Sequence, residues 1–341
     1  MPFVIKPLTE EHIPAVKEFN YRLTSAGVPF DLRFPECSLS DWLPKIEQRR
    51  LYQENFIVLE DGVVRGGYRV KRQDFSFRGC ILPLDCFHWP MSEAVINKAY
   101  SWVFMLMLRH IQKTQPFLYS LGMGGNAESL IPRSLQSAGW KVRTLPFFFK
   151  VNRPTRFLRE IQAIRKTALR RWLLNTAAST GIGALSLRSI QGVRTTSGRA
   201  REVAERVQAF SSWADDLWND CKDRYAMIAV RDRESLSLLY PAGNERFLIY
   251  KISRGNEMIG WAVLLDTQME NNKHFGNMRV GTILDCLAQP EDAWAVVRAV
   301  TRILEERKVD LMVSNQSQAL WCSAFRKVGF VVLPAKTGQP T

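Results

Sequence analysis

Apolar residues along this chain alternate with polar ones, then recur at helical spacing, then alternate again, and the succession runs through twice. Val4-Ile5-Lys6-Pro7 reads as a short edge strand that its proline ends. Thr9, Glu11 and His12 open an amphipathic helix to about residue 23, with Ile13, Val16 and Phe19 on one face. Trp42, Leu43, Ile46 and Leu51 predict a second helix after Ser40. Two apolar runs joined by Glu60-Asp61-Gly62 predict a hairpin, because Asp-Gly accepts the positive φ of a tight turn. A strand over 79–87, a helix over 92–112, a strand over 117–121, a helix ending at Gly139 and a β run over 145–151 close this succession.

The second succession starts at Leu185-Ser186-Leu187, with helices expected over 203–209 and 214–222. A hairpin over 247–265 turns at Arg254-Gly255-Asn256-Glu257. A strand with Gly281-Thr282-Ile283-Leu284-Asp285-Cys286-Leu287 comes next, then a helix over 291–307, a strand over 311–314, a helix over 317–328 and a last strand from Gly329. Both halves carry Leu-Asp-Cys, at Asp85 and Asp285, after a hairpin with glycine in its second arm (Gly66-Gly67; Gly260). Both close a later helix on Gly-aromatic, at Gly139-Trp140 and Gly329-Phe330. Repetition of motif and order predicts two copies of one α/β unit, with Asp85 superposing on Asp285.

Charge divides the chain differently. Of the net +14, most lies between Lys141 and Arg206, where 15 Lys/Arg face three acids. Within it, Phe157, Leu158, Ile161, Ile164, Leu169, Trp172 and Leu173 give a helical segment an apolar side, and arginines fill the remainder. This basic helix has three open readings: it lies on an anionic membrane surface, it binds a phosphate-bearing carrier, or it packs between the units with its arginines solvated. No recognition motif accompanies the charge, so specific nucleic-acid binding is not expected. Six cysteines form no CxxC pair and share no metal-ligand spacing with the four histidines, so reduced thiols and no metal are expected. The start lacks a basic-then-apolar leader and no apolar run is long enough to span a bilayer, which makes the expected location cytoplasmic, with peripheral contact at the inner membrane face as an option.

The opening Ile5-Lys6-Pro7-Leu8-Thr9-Glu10-Glu11-His12-Ile13, the hairpin Val58-Leu59-Glu60-Asp61-Gly62-Val63-Val64-Arg65-Gly66-Gly67 and the closing Phe325-Arg326-Lys327-Val328-Gly329-Phe330, with the element order above, resemble the GNAT (Gcn5-related N-acetyltransferase) fold. With two units the chain resembles tandem-GNAT acyltransferases associated with surface-polysaccharide synthesis. The resemblance covers nearly all but the basic helix and linker. It implies an α/β (α+β) protein of two tandem GNAT-like units, each a mixed, mostly antiparallel sheet flanked by helices. The expected domains are 1–152 and 185–341, joined by the basic helix and linker 153–184. It also implies transfer of an acyl group from acetyl-CoA, another acyl-CoA or an acyl carrier protein to an amine of an amino sugar or amino acid.

Against that family's pattern, the segments expected to hold the donor pyrophosphate, His88-Trp89-Pro90-Met91-Ser92-Glu93 and Gln289-Pro290-Glu291-Asp292-Ala293, contain no glycine. Carboxylates at a helix start repel phosphate and instead complement the helix dipole. The family's usual acid, a tyrosine before the closing glycine, is replaced by Leu135 and Phe325. A non-catalytic tandem-GNAT binding or scaffolding protein is therefore the alternative. Gly122, Gly124, Gly125 and Asn126 form a strand-to-helix turn able to cradle a phosphate or simply to turn the chain. By the resemblance, Asp285 ends its strand where the sheet admits the acyl arm, as general base or turn cap. Asn315 and Ser317, one strand over, are expected to bind acceptor or thioester oxygen, or to cap the next helix.

Overall fold

The computed structural model describes residues 3–29, 33–37, 42–122, 130–162 and 202–332, which divide into two compact units. The first comprises 1–143 with 226–230, the second 144–225 with 231–341.

In the first unit, β1 (Val4–Pro7) and the helix α1 (Ile13–Ser25) precede a hairpin of β2 (Tyr52–Glu60) and β3 (Val63–Arg72). A second hairpin, β4 (Asp74–Phe77) and β5 (Cys80–Pro83), leads into β6 (Asp85–Ser92). The helix α2 (Val103–Thr114), β7 (Leu118–Tyr119) and α3 (Leu130–Ser137) follow. The main sheet has the order β1-β2-β3-β6-β7, antiparallel except for the parallel pair β6–β7. Val58, Tyr68, Val70 and Phe87 on one face pack on Val103, Met107, Leu108 and Ile111 of α2. On the other face Ile57, Leu59 and Val64 pack on Val16, Phe19 and Leu23 of α1. Each such fully buried side chain contributes about 1.5–3 kcal/mol.

The second unit begins with β8 (Phe147–Val151) and α4 (Pro154–Glu160). Then come β9 (Glu202–Val207), α5 (Ser212–Cys221), β10 (Met227–Ala229), α6 (Arg233–Leu239) and the hairpin β11 (Leu248–Arg254)–β12 (Glu257–Gln268). The chain ends in β13 (Arg279–Ala288), α7 (Ala293–Glu306), β14 (Leu311–Asn315), α8 (Ala319–Lys327) and β15 (Val331–Val332). Its sheet runs β9-β11-β12-β13-β14-β8-β15, again with one parallel pair, β13–β14. β10 instead pairs with β4 in a small sheet of the first unit. The described residues contain no helix long and apolar enough to cross a membrane.

Several expectations change. Phe147–Val151, expected to close the first unit, lies between β14 and β15 in the second sheet, where Phe148 packs on Phe325. Residues 203–209, expected as helix, give the edge strand β9, because the outer edge of β11 offers backbone partners to Glu202–Val207. No helix forms over residues 42–51: Pro44 disfavours helical geometry at the residue before it, and Leu43 has φ 60°. The helix expected from 92 starts at Val103, since β6 runs on to Ser92. The basic helix is described only as far as residue 162; there Phe157, Leu158 and Ile161 pack on Val280, Leu311 and Val313, and Arg156 pairs with Asp310 at 3.2 Å. Its remainder and the linker over 176–183 lie outside the described residues.

Candidate active site

The opening in the second sheet follows from where two strands part. β13 and β14 pair only over Val280–Thr282 and Leu311–Val313. Immediately beyond, a bulge at Leu284 breaks the ladder with β12, the partners passing from Leu264↔Ile283 to Val263↔Asp285. A bulge bends its strand, and here it turns β13 away from β14. The backbone groups so exposed need partners. Ser314 Oγ donates to the Ile283 carbonyl at 2.9 Å, Cys286 N–H donates to Asp285 Oδ1 at 3.0 Å, and Tyr225 OH donates to the Ala288 carbonyl at 2.7 Å. Trp321 Nε1 holds Tyr225 at 2.9 Å, and Gln316 Nε2 lies 3.4 Å from Ser314 Oγ and 3.9 Å from Cys286 Sγ.

Asp285 sits at this opening. Its Oδ2 accepts from Tyr240 OH and from Arg231 Nε, both at 2.8 Å. Burial, and then the Asp285 charge, push the Tyr240 phenol well above its ordinary range, so it stays a donor at neutral pH. The same two causes push the Cys286 thiol well up, so it stays protonated. Asn315 is exposed, pairing through its backbone with Phe147, and Ser317 is exposed just before α8. Neither caps α8: Gln318 does, its side chain accepting from Trp321 N–H at 2.8 Å. The side chains gathered on the parting strands are therefore Asp285, Ser314 and Gln316, with Tyr240 and Arg231 from elsewhere in the unit. Sequence reasoning missed Tyr240 and Arg231, which no motif links to a residue 45 or more positions away.

The helix start after β13 is acidic in fact as in sequence. Asp292 pairs with Arg254 at 2.8 Å and Glu291 pairs with Arg224. In the first unit Glu93 follows β6; burial works to raise its carboxyl, but Arg22 and Arg65 outweigh it and hold it below the ordinary range. Gly122, with φ 71°, lies after β7, whereas Gly124, Gly125 and Asn126 lie outside the described residues. No group of metal-ligating side chains occurs among the described residues.

Asp85 does not correspond to Asp285. Gly66 and Gly260 flank the same hairpin bulge and face Ser92 and Ala288, which makes those two equivalent. At the other end, Ser120 Oγ donates to the Phe87 carbonyl at 2.7 Å as Ser314 does to Ile283. Both ends agree, so Asp85 stands where Gly281 does, four residues before Asp285, and Trp89 occupies the Asp285 position. Asp85 is fully buried, bound by Arg50 at 2.8 and 3.0 Å and by Arg72 at 2.5 Å.

The strand order, the single parallel pair and its parting are the marks of one known fold, and solved structures bear this out. A GCN5-related N-acetyltransferase from Anabaena variabilis matches with TM-score 0.54 and 10% identity, over 97% of this chain and 70% of that one. The chain has the GNAT fold. A protein from Enterococcus faecalis described as a probable N-acyltransferase matches at TM-score 0.52 and 9% identity, over 98% and 70%. The N-myristoyltransferase of Saccharomyces cerevisiae, solved with bound myristoyl-CoA, matches at 0.51 and 9%, over 96% and 76%. No protein-family model matches the sequence, and no curated protein does. The GNAT unit occurs here twice, in tandem, as each sheet's order shows.

Proposed function

We propose that the protein is an N-acyltransferase whose second unit takes a thioester donor along the open edge of β13. The observation that carries this reading is the parting of β13 and β14 directly beside Asp285. An extended, amide-bearing arm fits such an edge because it can meet backbone groups the sheet leaves unpaired. The amine nitrogen of the acceptor attacks the thioester carbonyl carbon, the C–N bond forms and the C–S bond breaks. Asp285 Oδ1 takes the proton released from nitrogen and the departing sulfur receives it. Arg231 and Tyr240 hold the carboxylate through Oδ2, while Oδ1 accepts from the Cys286 N–H and keeps a second lone pair for the proton. The acceptor is an amine of an amino sugar or amino acid.

The acids at the start of α7 disfavour a pyrophosphate there, so the donor is an acyl carrier protein or an acyl-CoA held through its arm and not through its diphosphate. The same acids favour a second reading, a binding module without catalysis. Location in the cytoplasm, with peripheral contact to an anionic membrane face through the basic side chains of residues 153–171, completes the proposal. Acyl transfer to a panel of amino sugars and amino acids, from acyl-CoA and acyl carrier protein, tests it. Asp285→Asn is expected to lower kcat by ~10²-fold or more with the fold intact. An Asn variant of full activity removes Asp285 from the chemistry, and no thermal stabilisation by any donor favours the binding-module reading.

A further inference from the structure

One face of the first unit's sheet carries a polar row that its fold does not require. Asn55 on β2, Arg69 on β3 and His88 on β6 are direct neighbours across the three strands. By the correspondence of the two units, their counterparts are Ile249, Val263 and Leu284. The same backbone positions are thus filled by three apolar residues in one copy and by three hydrogen-bonding ones in the other. Sheet geometry alone is satisfied by the apolar set.

Two buried polar atoms of this row have no hydrogen-bond partner among the described residues. The Arg69 Nε is buried without a hydrogen bond, and its guanidinium meets no carboxylate among the described residues. It lies over the Trp89 ring at 5.4 Å, a contact that orients the fork without giving the Nε–H an acceptor. Asn55 is 4% exposed and its side-chain oxygen also lacks a partner. Turned about its last bond, that amide presents donors in place of the oxygen. Burial, with the charges of Arg69 and Lys71, lowers His88 to about 4, so its ring is neutral at pH 7 and able to donate one hydrogen bond. A half-buried guanidinium without a counter-ion is costly unless something anionic meets it.

We propose that the Asn55–Arg69–His88 row is a binding site for an oxyanion, a carboxylate or a phosphate borne by a small molecule. Arg69 supplies the charge and a planar pair of donors, which suits either group. Asn55 and His88 supply neutral hydrogen bonds at its sides, and the half-exposed Trp89 offers an aromatic face to the body of the molecule. The site lies wholly in the first unit and does not rest on acyl transfer by the second.

The test titrates the full-length protein with sodium phosphate and with sodium acetate, against sodium chloride at equal ionic strength. Thermal midpoint and tryptophan fluorescence are both followed. The parent is expected to show a saturable rise in midpoint with phosphate or acetate beyond that with chloride, and whichever acts more strongly names the group. Arg69→Met is expected to weaken that response by about 10-fold or more, the size of a lost charged hydrogen bond. Its midpoint without added anion should equal or exceed the parent's, because a buried unpaired charge has been removed. His88→Leu, which copies the second unit, should weaken the response less. Phosphate and acetate acting as chloride does would overturn the site. So would an Arg69→Met protein that responds as the parent does, or one whose unliganded midpoint falls by several degrees.

Discussion

The two units place opposite chemistry on one scaffold. Around the β6 bulge of the first stand Arg69, His88 and Trp89; around the β13 bulge of the second stand Val263, Leu284 and Asp285. In the first the Arg69 Nε has no hydrogen-bond partner among the described residues, whereas the second pairs its carboxylate with Arg231 and Tyr240. What both keep is the device that opens the sheet: a glycine in the hairpin's second strand, a bulge, a short parallel pair, and a serine closing its end. Backbone features are thus shared and side-chain chemistry has diverged. A duplicated fold can hold two sites for different ligands, and each copy shows which polar residues of the other the fold does not need.

The largest expected effect comes from the two aspartates that look alike in sequence. Asp85 is buried between two arginines, and Arg72 also binds Glu54. Asp85→Asn leaves buried guanidinium charge uncompensated, which costs about 3–5 kcal/mol in such sites. Asp285 keeps some exposure and one arginine, and Asn retains the bond with Tyr240, so the same change there should cost about 1–2 kcal/mol. Urea melts of the two variants check this. Equal losses would mean that the two carboxylates serve alike after all.

That pair also shows how far the sequence could be read. Much of the order of strands and helices was legible, because alternation and helical spacing report which face is buried, but the helices expected after Ser40 and over 203–209 do not form. The repeat was legible too, yet through a misleading motif: Leu-Asp-Cys matches four residues out of register. The register is set by Gly66 and Gly260 and by Ser120 and Ser314, whose importance is a matter of close approach and hydrogen bonding that no residue pattern displays. The exchange of Phe147–Val151 into the second sheet is likewise invisible, since a β run does not say which neighbour it joins. Of the candidate site, Asp285 was named through the family resemblance and lies where β13 and β14 part, and Ser314 stood next to the chosen Asn315. Tyr240 and Arg231 come from distant segments.

The glycines carry the next effect. A Cβ on Gly66 would lie 2.6 Å from the Met91 carbonyl oxygen, and one on Gly260 2.7 Å from that of Leu287, with a valine of the covering helix on the other side of each. Backbone cannot yield as a flexible side chain does, so Gly66→Ala and Gly260→Ala should each destabilise by about 1–3 kcal/mol. Matching losses in denaturant melts support the equivalence of the two hairpins. A neutral result at either one breaks it at its firmest point.

The smallest effect is the most discriminating. Ser120 and Ser314 each satisfy one carbonyl that the parting strands leave open, and a net hydrogen bond contributes about 0.5–1.5 kcal/mol. Ser314 is 2% exposed, so water cannot replace its hydroxyl, and Ser314→Ala strands the Ile283 carbonyl. Ser120 is half-buried, and water can reach the Phe87 carbonyl once the hydroxyl is gone. Ser314→Ala should therefore lie near the top of that range or above it, and Ser120→Ala near the bottom. Because Ser314 also holds β13 beside Asp285, its loss should lower acyl transfer as well as stability, while Ser120→Ala leaves transfer unchanged. Should Ser120→Ala depress turnover and Ser314→Ala spare it, the chemistry belongs to the first unit and the assignment of the two halves is reversed.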